Sequence, residues 1–128
     1  MPRQLTSIIS MLTITALCVW WVSCSKAARH PQLSQQIPSS IVVTVGEETV
    51  GTITNAYDLV SLLRQGDWKP PHPCVARGQF VMHYSTGEPV RVSFYPGHSD
   101  SEYEFAVGGE GYAVARKPLM DTLQTAGI

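Results

Sequence analysis

Cysteine is scarce in this chain. Its 128 residues hold three, Cys18, Cys24 and Cys74. Cys18 lies inside an apolar run and Cys24 at its end, so the folded part keeps Cys74 alone. One thiol closes no intradomain disulfide, which excludes a disulfide-stapled scaffold. Charge of one sign is missing too: ten acidic side chains face nine basic ones. Without a basic stripe, nucleic acid is not an expected partner. No repeat of fixed period is present, which excludes solenoids and propellers. The motifs GxSxG, the P-loop, GxGxxG and HExxH are all absent, and with them the common hydrolase, nucleotide and zinc-protease sites. The segment Gly108-Gly109-Glu110-Gly111 joins two apolar alternating runs and opens no helix, so it reads as a hairpin turn instead of an anion cradle. The expectation is a domain that is not an enzyme and carries no cofactor.

An unbroken apolar run of about 20 residues, the length of a membrane-spanning helix, is lacking as well. Leu5 to Val22 carries no charge, yet Thr6, Ser7, Ser10, Thr13 and Thr15 dilute it. With Arg3 before it and small residues at its end, residues 1–24 read as an export signal. Val22-Ser23-Cys24 resembles the end of the lipobox of bacterial lipoproteins, with Trp21 where leucine is usual. The resemblance implies acylation of Cys24 and a new N-terminus there. Ser23-Cys24-Ser25 equally fits an ordinary signal-peptidase site, and retention as an anchor is the third fate. All three place the domain outside the cytoplasm, in the cell envelope or periplasm, with lipid anchoring expected. Residues 25–40 are rich in Ser, Gln and Pro, have no apolar period, and read as a flexible tether.

Residues 41–128 read as a single domain. Ile41 to Val45 is a β-branched strand, and Gly46-Glu47-Glu48 a turn. Thr49 to Thr54 extends the strand or leads into a helix. Asn55 is placed to cap that helix, Ala56, Leu59, Val60 and Leu63 form its buried stripe, and Gly66 is expected to end it in the left-handed region. Residues 67–78, with Pro70, Pro71 and Pro73, read as an extended crossover. Four alternating segments follow. Phe80, Met82 and Tyr84, then Val90, Val92 and Phe94, then Tyr103, Phe105 and Val107, then Tyr112 and Val114 each share a face, as in antiparallel strands buried on one side. A three-residue turn at Ser85-Thr86-Gly87 sets Met82 against Val90 and Phe80 against Val92. A two-residue turn at Gly109-Glu110 sets Val107 against Tyr112. Pro118 opens a closing helix with Leu119, Met120 and Leu123 as its stripe, and Gly127 ends it. The expected fold is an α+β two-layer sandwich in the order β-α-β-β-β-β-α, with the helices on one face of an antiparallel sheet.

The other face would carry His83, Arg91, Tyr95 and Glu104, a polar set suited to recognising an envelope protein or a small ligand. A non-catalytic binding module is therefore the expected function. The alternative is a zinc- or copper-binding protein using His72, Cys74 and His98, whose soft donors suit those metals. The run Pro96-Gly97-His98 followed by Tyr103-Glu104-Phe105, then Tyr112 to Arg116 and a short leucine helix, resembles small exported proteins of unassigned function from planctomycete-type bacteria. The likeness implies export and assigns no catalytic residue.

Overall fold

The computed structural model describes residues 29–70, 73–96 and 98–128. Nine elements lie among them: β1 Ser40–Val45, β2 Glu48–Ile53, α1 Tyr57–Arg64, β3 Asp67–Lys69, β4 Gly78–His83, β5 Val90–Pro96, β6 Glu102–Val107, β7 Glu110–Ala115 and α2 Arg116–Thr125. The fold is mixed α+β, with an antiparallel seven-stranded sheet in the order β2-β1-β4-β5-β6-β7-β3 and two helices. No helix among the described residues is long and apolar enough to cross a membrane.

Two strands appear that the expected order lacked. Residues 48–53 turn back on β1 because Gly46 reaches φ +61°, closing a tight hairpin in which Val45 faces Glu48. The start of the proline crossover pairs with the far edge of the sheet, Trp68 opposite Tyr112. Trp68 supplies the reason: it packs on the core, and its indole N–H donates to Glu110 at 2.8 Å.

The alternation of the strands builds the core. Ile41, Val43, Phe80, Met82, Val92, Phe94, Phe105, Val107, Tyr112 and Val114 are buried in one cluster with Leu59, Val60 and Leu63 of α1 and Leu119 of α2. Phe80 stacks on Phe94 at 4.8 Å between centroids, and Phe105 on Tyr112 at 5.6 Å. α2 rests on β6, β7 and α1. The β4–β5 register is the expected one, Met82 opposite Val90 and Phe80 opposite Val92, with Gly87 at φ +88° in the turn.

Several local expectations are corrected. The β6–β7 turn is made by Gly108 and Gly109, both at positive φ, the type I′ pattern. Val107 therefore faces Glu110, and Phe105 faces Tyr112. The shift is an even number of residues, so every side chain keeps its face. Asn55 does not cap α1: the N-cap is Ala56, and no side chain closes it. Gly66 is not left-handed; its missing Cβ makes room for the Phe105 ring. Met120 is exposed, leaving Leu119 and Leu123 to seat α2.

Residues 29–40, within the segment read as a tether, lie against the domain. Leu33 belongs to the core cluster, the backbone N–H of Ser39 donates to the His83 carbonyl at 2.8 Å, and Tyr112 donates its hydroxyl to the His30 carbonyl at 3.2 Å. The Arg29 guanidinium sits 4.5 Å over the Trp68 ring.

Candidate functional site

The face of the sheet opposite the core carries Gln79, Val81 and His83 on β4, Arg91, Ser93 and Tyr95 on β5, and Glu102, Glu104 and Ala106 on β6. It is not uniformly wet. Val81, Glu104 and Ala113 are all buried on it. Glu104 is the one charged residue buried among those described, 8% exposed. A carboxylate so placed requires hydrogen bonds to offset its lost hydration.

One such bond comes from the loop between β5 and β6. Tyr95 faces Glu104, and Pro96 faces Tyr103, so the chain reverses direction within a few residues. That return carries His98 onto Glu104: its Nδ1 lies 3.2 Å from Oε1. The other ring nitrogen, Nε2, lies 3.7 Å from the Sγ of Cys74, which arrives from the proline connector. The connector is tied to the sheet end by Arg77, whose N–H donates to the Phe94 carbonyl and whose carbonyl accepts from Gly46. The result is a line of three groups: an exposed thiol, a mostly exposed imidazole and a buried carboxylate.

A shallow cavity of about 180 Å³ adjoins Glu104. Lys69, Pro70, Tyr95, Ala106 and Glu110 contribute to its walls. Lys69 also reaches Glu102, 3.6 Å away, across the β7 strand that separates them.

The four residues expected on a recognition surface separate into two groups. Tyr95 and Glu104 are direct cross-strand neighbours beside the cavity. Arg91 stands further along β5, donating to Gln79 Oε1 at 3.3 Å, and His83 lies at the far end of β4 beside Ser40. Glu104 is moreover buried, so it shapes the site from beneath instead of presenting a surface anchor. Of the three candidate metal ligands, Cys74 and His98 come together, while His72 lies outside the described residues. Cys24, the expected acylation site, lies outside them too. No cluster of three or more metal-capable side chains occurs among the described residues.

The role of Glu104 escaped the sequence reading, which placed it on the correct face but gave it no partner. The sequence held no signal for that partner: a short loop between Pro96 and Glu102 can lean to either face of the sheet, and the contact of His98 with Glu104 is a property of the folded chain. No protein-family profile, curated protein or solved structure matches this chain.

Proposed function

We propose that the chain is an exported protein of the bacterial cell envelope, anchored by acylation of Cys24, whose domain is a non-catalytic binding module for a small ligand. In this reading the domain is a two-layer α+β sandwich: both helices cover one face of the sheet and leave the other for recognition. The observation that carries the proposal is the cavity beside Tyr95 and Glu104. Its volume of about 180 Å³ suits a small molecule and not a protein segment. Lys69 and the Tyr95 ring supply a cation and a flat apolar wall. The lipobox-like end of the apolar run and the planctomycete-type pattern of residues 96–116 support the envelope assignment. Neither points to nucleic acid.

Two measurements test the proposal. Cells fed a fatty-acid analogue should label the wild-type chain and not Cys24→Ala; equal absence of label in both removes the anchor. Native mass spectrometry of the protein after incubation with small molecules extracted from the envelope should show a retained adduct. That adduct should be lost in the double variant Lys69→Ala, Tyr95→Ala. An adduct that survives the double variant, or none in the wild type, removes the cavity as the binding site.

A further inference from the structure

We propose that Cys74, His98 and Glu104 form a relay that makes Cys74 a nucleophile toward small disulfides, so that the protein takes up a mixed disulfide at this position. The inference does not depend on what the cavity binds. It rests on which atoms face each other. A carboxylate only accepts hydrogen bonds, so the ring nitrogen 3.2 Å from Glu104 Oε1 carries the proton. Nε2 is then the lone-pair nitrogen, and it is the atom turned to Sγ at 3.7 Å. The thiol donates to it. Nucleophile, base and orienting acid thus stand in the order that activates serine and cysteine nucleophiles on unrelated folds.

Burial gives the line its stiffness. Glu104 is fixed in the middle of β6, hydrogen-bonded to strands on both sides, and aims the ring from beneath. Cys74 is exposed, and its neighbour Val75 is 87% exposed, so a small reagent reaches the sulfur. Disulfide exchange asks only for a thiolate and room to attack in line. Acyl transfer would also ask for preorganised oxyanion donors. As the sulfur attacks one sulfur of a disulfide RS–SR, the thiol proton passes to Nε2. The new S–S bond forms as the old one breaks, and the departing thiolate takes the proton back as RSH. Electrons balance: one disulfide is consumed and one is made. Cys74 is the sole cysteine among the described residues, so within them no second thiol resolves the adduct.

The experiment uses the full chain in detergent with Cys18→Ser and Cys24→Ser, so that Cys74 is the one thiol left. The probes are an aromatic disulfide that releases a coloured thiolate, and oxidised glutathione read by mass. Near neutral pH the reaction should be about tenfold or more faster than in the further variant His98→Ala, in line with the contribution of a positioned base. Added imidazole should restore much of the lost rate. Glu104→Gln, almost isosteric, should slow the reaction several-fold, and Glu104→Asp should recover part of it. His98→Ala takes a hydrogen bond from the buried Glu104, so the melting temperature should fall slightly; circular dichroism showing the same folded state at the assay temperature is the control on folding. Equal rates with and without His98, or no rescue by imidazole, overturn the proposal. One equivalent of zinc or copper that blocks the thiol and is lost in both His98→Ala and Cys74→Ser overturns it too, and makes the pair metal ligands.

Discussion

Single positions show most directly how this fold is held. Gly78 opens β4 where the backbone of β1 runs past it, and a Cβ there would collide with the Thr44 carbonyl oxygen and the Phe94 ring. Backbone cannot step aside as a side chain does. Gly78→Ala should therefore cost about 2–3 kcal/mol in a denaturant titration. Gly46 is the contrast: its Cβ would meet open space, and the penalty for Gly46→Ala comes from φ +61° alone, roughly 1 kcal/mol. Equal losses for the two would contradict the crowding at Gly78. Tyr112 is buried, and burial, aided by the charge of Glu110 and opposed by Arg29, holds its phenol above the usual value of 10.0. Burial likewise raises Tyr84, with Arg64 opposing. A raised phenol favours the neutral form in the folded state. The stability it lends is complete below pH 10 and drains away as the pH climbs through the folded value. Tyr112→Phe should lose about 1 kcal/mol near neutrality with its bond to His30, and should soften the alkaline decline. Equilibrium melts taken on both sides of pH 10 would show both effects. At this scale the sequence was partly legible. The sequence offers Cys74 and His98 as soft donors, but their meeting depends on His98 lying against Glu104, which belongs to the folded chain alone.

The elements were read best where one physical signal dominated. Strict alternation placed β4, β5, β6 and β7, and the stripe Ala56, Leu59, Val60, Leu63 placed α1, because each pattern reports a buried face. Errors gathered where two signals competed. In the β6–β7 turn, glycines stand at 108, 109 and 111, and more than one two-residue loop fits them. Only the positive φ of both Gly108 and Gly109 selects the register. β2 was left open because Thr49 to Thr54 has weak alternation, and most of the strand is in fact exposed. β3 could not be seen at all: three residues before a proline run have no period, and their pairing with β7 is a property of the folded chain. For α2 the stripe included Met120, which faces water at 47% exposure, whereas Leu119 is 3% exposed. Leu119→Ala should then cost about 2–4 kcal/mol and Met120→Ala under about 0.5, measured by urea unfolding. A larger loss at Met120 would mean that the helix is rotated on the sheet.

At the level of the whole molecule, the N-terminal segment belongs to the stability of the domain. Leu33 fills the core, and the hydrogen bonds of Ser39 and Tyr112 tie residues 30–39 to two different strands. A chain beginning at Ser39 should still fold, since the sheet is intact, but should melt several degrees below one beginning at Arg29. Leu33→Ala should account for much of that difference, about 2 kcal/mol. Identical melting of the two chains would return this segment to the role of tether. The strand order carries a consequence of another kind, in time. β4 to β7 are consecutive neighbours and zip up by short hairpin closures. β1 and β3, separated in sequence by little more than β2 and α1, are laid on opposite flanks of that meander. The chain must thus be carried from one flank to the other, with α1 as the span, and its two anchoring pairings close late because each joins distant sequence. The three-residue β3 is the weaker anchor. Transient opening of the native state should begin there, so amide hydrogens in the β3–β7 pairing should exchange with solvent sooner than those in the β4–β5 pairing, which lies deep in the meander.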